Sequence, residues 1–381
     1  MRIIWILTGI GIWMLSLISC AGSKSKTGSI PMPSSYEDLW KSVDQKDREG
    51  LPLSAVTIVD SIAYMAKKEA NAVQQIKTLI YQAKYRSQLD EAGLKKGIEL
   101  FEADLKSTSD PIVKSLIHSL QAQLYQQYFD QNRWLIRSRT TVHDAQDINI
   151  ESWSPIDFLR KIRFHYIASF QEKALKAAGI QEYKLLLTEG KGADTVRPFL
   201  YDILAHRALD YFMNTRSDLD LIHDDFVFDQ PILFAPTDQF IGIKTFSTVD
   251  SMSFHRTVMQ LFQDLESFHQ KDMVPNALID VVQKRLQFVY ENYSGAEKEK
   301  WYVAALDQKI NQYKSMRWSA PFLLRKAMLF IDLGQRYEAG QPDTTYHGYL
   351  IKSVEILKII IQEYKGTSEA KQAEQTAETS G

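Results

Sequence analysis

Three observations on this 381-residue chain predict an all-α fold of stacked helical hairpins. Apolar residues recur every three or four positions almost throughout, which is the period of an amphipathic helix and not the alternation of a strand. Glycine and proline are sparse, at 17 and 11 residues, which argues against a turn-rich all-β architecture. Asp110-Pro111 and Ser154-Pro155 each place a capping oxygen before a residue with no backbone N–H, a start signal for a helix.

The first helix opens at Ser34-Ser35-Tyr36-Glu37, read as a capping box. The Ser34 hydroxyl accepts a backbone N–H and Glu37 reaches back. Tyr36, Leu39, Trp40 and Val43 share its apolar face, and Gly50 ends it. Pro52 starts a second helix, with Ala55, Val56, Val59, Ile62 and Ala63 as its stripe. A third runs from Ala72 through Ile76, Leu79, Ile80, Ala83 and Tyr85. A fourth runs from Ala92 towards Leu105, weakened inside by Gly93 and Gly97. Asp110 caps a long helix in which Leu116, Leu120, Leu124 and Tyr128 lie four apart, flanked by Val113, Ile117 and Tyr125. Ser154-Pro155 precedes Phe158, Leu159, Ile162, Tyr166 and Phe170, and another helix runs from Pro198 through Phe199, Leu200, Ile203, Leu204, Ala208 and Phe212.

Between Leu219 and Thr248 the helical pattern breaks. Phe226-Val227-Phe228-Asp229-Gln230-Pro231 and Ile232-Leu233-Phe234-Ala235-Pro236 read as an ordered, aromatic-rich irregular segment with room for short strands. It is expected to connect two helical halves, the alternative being a ligand-binding insertion. Helices then return over Phe254–Phe268, Ala277–Tyr290, Glu297–Tyr313, Pro321–Tyr337 and Tyr349–Tyr364. Their pairing resembles tetratricopeptide-type hairpins. Ala327, Leu329, Leu333, Gly334 and Tyr337 match the small/large spacing of a first repeat helix, and Val354, Leu357, Ile360 and Tyr364 that of a second. Each such hairpin exposes an apolar face that only a neighbouring hairpin covers, so a solenoid is expected. Glu369-Ala370-Lys371-Gln372-Ala373 has helix-forming composition and residues 374–381 are polar with no apolar face, so the last stretch reads as a polar tail or as the opening of a truncated repeat.

The sole cysteine, Cys20, ends Leu17-Ile18-Ser19-Cys20 behind an apolar run from Ile3 to Leu17, with Ala21 and Gly22 following. That placement resembles a bacterial lipobox and implies cleavage before Cys20 and lipidation on it. The protein is then expected in the bacterial cell envelope, anchored to a membrane through acylated Cys20. The outer membrane is the expected site, with its periplasmic or surface face left open. Such a thiol leaves no cysteine for disulfides, metals or nucleophilic catalysis. The chain therefore divides into a signal peptide, 1–19; a flexible tether, 20–33; an N-terminal helical domain, 34–215; the irregular connection, 216–250; tetratricopeptide-like hairpins, 251–366; and the tail, 367–381.

The formal net charge of −2 offers no electrostatic footprint for nucleic acid, which is excluded as an expected partner. No H-E-x-x-H, P-loop, G-x-G-x-x-G or G-x-S-x-G pattern occurs, and the chain is expected to be no enzyme and to carry no cofactor. Asp202, His206 and Asp210, spaced four apart with His223, Asp224 and Asp225 beyond, are the candidate metal ligands. The competing reading, which is favoured, places His206 as a satisfied interior group and Arg207 as paired across a helix interface. His165, Tyr166, His255 and His269 read as satisfied core or interface groups. Arg133-Trp134, after Tyr125, Tyr128 and Phe129, offers a stacking surface for a sugar or peptide, although aromatic residues at helical spacing more often form core.

Several stretches together resemble one family, the N-terminal helical region of large bacterial alpha-2-macroglobulin-like lipoproteins. They are Tyr36-Glu37-Asp38-Leu39-Trp40 with Gly50-Leu51-Pro52, Ile76 to Tyr81 with Lys84-Tyr85-Arg86, Gln131-Asn132-Arg133-Trp134 with Arg139-Thr140, Arg197 to Phe212, and Phe234-Ala235-Pro236. The resemblance implies that this chain is the leading, non-catalytic scaffold of an envelope protease trap. In that family the trapping is done by macroglobulin β-sandwich domains, a bait region and, in some members, a Cys-x-Glu-Gln thioester, none of which this sequence contains. Proteases are thus implied partners only through domains absent from the chain, while a protein partner on the helical surface remains open to it. The alternative is a tetratricopeptide-like glycan-binding lipoprotein of a nutrient-uptake system. It expects exposed tryptophans clustered on one surface, with Trp134, Trp153 or Trp318 as the candidates.

Overall fold

The computed structural model describes residues 2–3, 35–89, 92–139, 149–188, 193–214, 222, 224–244, 252–338 and 346–380. Cys20, the tether, His223 and the expected signal peptide apart from Arg2–Ile3 lie outside those residues. The described chain is all-α, built of helices that pack on their neighbours in sequence. It forms two compact units, Met1–Asp210 and Tyr211–Gly381.

The first unit contains α1 (Tyr36–Arg48), α2 (Pro52–Lys68), α3 (Ala72–Leu89), α4 (Gly93–Ser107), α5 (Pro111–Gln131), α6 (Arg133–Arg137), α7 (Pro155–Ala168) and α8 (Ala193–Val196). The cap of α1 is Ser35 and not Ser34. Asp38 occupies the third helical position, and its backbone N–H donates to Ser35 Oγ at 3.3 Å while the hydroxyl donates to its carboxylate at 2.8 Å. Gly50, at φ 68°, ends the turn in the left-handed region, and Pro52 opens α2. Leu39, Trp40 and Val43 of α1 then close on Ala55, Val59, Ile62 and Tyr85. The Trp40 indole N–H is satisfied by Gln74 Oε1 at 2.7 Å, which lets both side chains be buried.

Helix α5 starts at Asp110, whose carboxylate accepts from the N–H groups of Ile112 and Val113 at 2.8 and 3.2 Å. It packs against α4 and α7 and is buried on several faces, including Ser115, Ser119 and Gln121. The α7 start is a reciprocal box between Ser154 and Asp157. The helix expected from Pro198 begins later, as α9 (Leu200–Asn214). The backbone of Pro198–Phe199 is engaged elsewhere: Pro198 O accepts from Ile180 N–H at 3.0 Å, and Gly179 bridges Phe199. A two-residue antiparallel pairing of Arg2–Ile3 with Leu187–Thr188 also belongs to this unit.

The second unit takes its helices from α10 (Thr237–Phe240), α11 (Phe254–His269), α12 (Asn276–Asn292), α13 (Lys298–Gln312), α14 (Ala320–Gly334), α15 (Tyr349–Glu363) and α16 (Ser368–Ser380). The aromatic segment contains no strand over residues 224–244; a 3-10 turn at Pro231–Phe234 leads into α10. It packs into this unit as core. Phe228, Leu233, Phe234 and Phe240 are buried, and the Phe228 ring meets Phe288 edge-on while Phe234 meets Tyr293.

The fastening is Arg285, whose side chain is 0% exposed, as is that of Glu266. Arg285 Nε donates to Glu266 Oε1 at 2.5 Å, and its two terminal nitrogens donate to Leu233 O at 2.7 Å and Ala235 O at 3.0 Å. The guanidinium also lies 4.0 Å from the Phe240 ring centroid, and Thr237 Oγ1 donates to the second Glu266 oxygen at 2.7 Å. A charge is tolerable in an apolar interior only when paired and fully hydrogen-bonded.

At the other end of the unit, Gly334 lets α14 and α15 approach closely: a Cβ there would stand 2.7 Å from Leu350 Cγ. The C-terminal stretch, expected as a polar tail or as the opening of a truncated repeat, is helix α16, and it carries an apolar stripe. Ala370 and Ala373 are buried with Ala327, Leu357 and Ile360, and Ala377 packs beside them. Small methyl groups at this spacing form a narrow stripe that long side chains would hide in a sequence scan.

Replacing Arg285 by Leu is expected to destabilise the protein by about 3–5 kcal/mol, because it strands the Glu266 carboxylate in the core. Adding Glu266→Gln is expected to recover part of that loss. Urea denaturation of the three proteins measures both steps, and a double variant no more stable than the single one would refute the stranded-charge account.

Candidate functional site

Two places in the described residues gather polar side chains. The first is a groove of about 520 Å³ in the second unit, lined by Gln283 of α12, Pro321, Leu324, Arg325 and Met328 of α14, and Glu369, Gln372, Gln375 and Thr376 of α16. Helical spacing builds it. Residues 321, 324, 325 and 328 fall on one face of α14, and 369, 372, 375 and 376 on one face of α16. The opposite stripe of α16, with Ala370 and Ala373, glues that helix to α14 and α15. The floor is apolar and adaptable. Thr376 Oγ1 donates to Gln372 O at 2.8 Å and touches Met328 Sδ at 3.9 Å. Arg325 is exposed and makes no ion pair among the described residues.

The second place is a histidine pair in the first unit. His118 of α5 and His165 of α7 meet Nδ1 to Nδ1 at 2.9 Å, so one ring donates and the other accepts. His165 is buried, its Nε2 has no hydrogen-bond partner, and Tyr125 and Phe164 pack around it. Burial, reinforced by Lys114 and Lys161, pushes His118 down to about 4. Burial, the neighbouring His118 and Lys161 push His165 down to about 2. Nearby, the Tyr125 hydroxyl donates to Glu102, which Lys161 approaches at 3.7 Å, and the Trp153 ring stacks on Tyr125 at 5.4 Å. This is a hydrogen bond between helices that carries no charge at neutral pH.

The sequence candidates are not brought together. Asp202 is buried and accepts from Phe199 N–H at 3.0 Å, which makes it a start signal for α9. His206 is buried, whereas Asp210 is exposed. Among the described residues no group of three or more His, Cys, Asp or Glu is placed to hold a metal ion. Arg207 spans to α5, donating to Ser119 Oγ and Gln123 Oε1, each at 2.9 Å. Asp224 caps α11 by accepting from His255 N–H at 2.9 Å, and His269 pairs with Asp272 at 2.7 Å.

The tryptophans diverge in the same way. Trp134 is 88% exposed, Trp153 is buried, and Trp318 is half-buried with its indole N–H on Asn276 at 2.8 Å. In the first unit Trp134 therefore stands without Trp153 beside it on the surface. No helix among the described residues is long and apolar enough to cross a membrane. Two features escaped the sequence reading. His118 is 47 residues from its partner, beyond any local pattern. The groove depends on α16, whose alanine spacing at 370, 373 and 377 was the available signal.

Because both folded-state values lie below the ordinary 6.5 of an unfolded histidine, the unfolded chain binds the extra protons as acid is added. The pair's contribution is therefore fully present above pH 6.5 and is lost as pH falls through about 4. Urea midpoints are expected to drop between pH 7 and 5, and His165→Phe is expected to flatten that slope. An equal slope in wild type and variant would exclude the pair as its source.

Comparison with protein-family models, with curated proteins and with solved structures returned no match to this chain.

Proposed function

We propose that the chain is a non-catalytic helical scaffold that holds a polypeptide partner. On this reading it is fastened to a bacterial envelope membrane through acylated Cys20 and forms the leading part of an alpha-2-macroglobulin-like protein. The observation that carries the scaffold reading is the α12–α14–α16 groove, an open surface of polar side chains over an apolar floor. Stacked hairpins present such surfaces because each helix spends one face on its neighbours and keeps the other. The anchor rests on the position of Cys20, and the family rests on the resemblance of the quoted stretches, Arg197 to Phe212 above all.

Two measurements test the proposal. Cells fed labelled palmitate are expected to yield a membrane-bound protein whose first residue is acylated Cys20, and Cys20→Ser is expected to abolish the label. An unmodified thiol in a soluble fraction defeats the anchor. For the scaffold, photo-crosslinking residues placed one at a time at Tyr64, Trp134, Ile351 and Gln372, all exposed, are expected to trap a polypeptide at one or more positions. Silence at all four would end the scaffold reading.

A further inference from the structure

We propose that the α12–α14–α16 groove binds an extended, acidic polypeptide segment, with its main chain read by the glutamines and one carboxylate side chain held by Arg325. This rests on the scaffold reading and specifies its partner.

The lining chemistry selects the ligand. Gln283 and Gln372 bring carboxamides from two walls of the groove. A carboxamide carries the same donor and acceptor as a peptide group, so the two match a polypeptide backbone without demanding a sequence. The floor of Pro321, Leu324 and Met328 supplies apolar contact, and the exposed thioether of Met328 adapts to different side chains. The groove is open to solvent on one side, as suits a chain passing along it.

Charge then fixes the polarity. The nearby cations on α14 are already committed. Lys326 pairs with Asp307, and Arg336 beyond the helix end pairs with Asp332. Arg325 alone of these makes no ion pair among the described residues, and it lines the groove. A planar guanidinium with five donors prefers a carboxylate held through two parallel hydrogen bonds. Glu369, on the facing wall, repels an acidic chain near itself, so it limits the ligand to a carboxylate aligned with Arg325 and not to a run of them along the whole groove. The other ligand classes fit less well. No aromatic ring lines the groove for a sugar face to stack on, and one free cation beside Glu369 is a poor footprint for a phosphate backbone.

The test uses the full chain and fluorescein-labelled octapeptides of matched length, one set with a central Glu or Asp among Ala, Ser and Gly, one with Gln or Asn there, and one with Lys. Every set is made with free and with amidated C termini. Fluorescence anisotropy is expected to show the acidic set binding at least tenfold tighter than the other two. Amidation of the C terminus is expected to leave this unchanged. Arg325→Gln is expected to erase the acidic preference, and Gln372→Ala is expected to weaken all sets together. These residues are exposed, and circular dichroism confirms that each variant keeps its helices.

Equal affinity for the acidic and neutral sets, or a preference that survives Arg325→Gln, would overturn the assignment. Binding that vanishes on amidation would move the carboxylate to the chain terminus and overturn it equally. If no peptide binds but crosslinks form at Tyr64 or Trp134, the groove inference fails and the scaffold reading survives.

Discussion

One guanidinium organises the second unit. Arg285 reaches from the middle of α12 to the backbone of a segment that has no ladder of its own, taking the carbonyls of Leu233 and Ala235 as acceptors. Residues in irregular conformation must place their carbonyls somewhere, since a buried carbonyl without a donor costs about as much as a lost hydrogen bond. Here Glu266 neutralises the arginine, Thr237 satisfies the second carboxylate oxygen, and Phe240 covers the face of the guanidinium. Each partner closes a deficit the others would leave. Such a pair adds little net stability compared with a well-packed apolar substitute, but any arrangement that breaks it is costly. Its effect is selection, because a rearranged aromatic segment would leave two guanidinium nitrogens and one carboxylate oxygen in the core without their partners. Lys309, also buried and pushed below the ordinary lysine range by burial, adds a second cation to this polar centre.

The first unit solves a similar problem without charge. The α5–α7 contact contains His118 and His165, and their mutual hydrogen bond requires that at least one ring stay neutral. Lys114 and Lys161 reinforce neutrality by making any added proton a further like charge. The histidine contact weakens in acid, because both rings are held below the ordinary histidine range.

What the sequence revealed follows from the range of the interactions. Starts such as Asp110-Pro111 and Ser154-Pro155 act over three residues and were legible at once. The long stripes of α5 and α12 repeat with the helical period, and they too were readable. The first cap was misplaced by one residue because Ser34 and Ser35 offer the same hydroxyl; only the Ser35–Asp38 geometry separates them. Pro198 looked like a helix start, but its carbonyl is taken by Ile180, a tertiary contact with no local trace. The aromatic segment was rightly read as ordered and non-helical over much of its length, yet its reason for order sits some fifty residues away, in Arg285. Candidate sites fared similarly. Asp202 and His206 share a helical face, but a carboxylate spent on Phe199 N–H is a cap first.

Helix α16 shows how a surface of this kind comes to exist. Its sequence, rich in Glu, Gln, Thr and Ala, looks like solvated chain because no large apolar residue marks it. Alanine, however, has the highest helix propensity and loses no side-chain entropy on burial. Ala370 and Ala373 dock against Leu357 and Ile360 with short side chains, so α16 lies close to the helices beneath it. Close approach on one side sets the neighbouring face, with Glu369, Gln372 and Thr376, across a solvent-open trough from α14. A helix glued by leucines would stand further off and open that trough more widely. The same residues that make the segment look featureless therefore set the width of the groove, and that width keeps three helices within reach of one extended ligand.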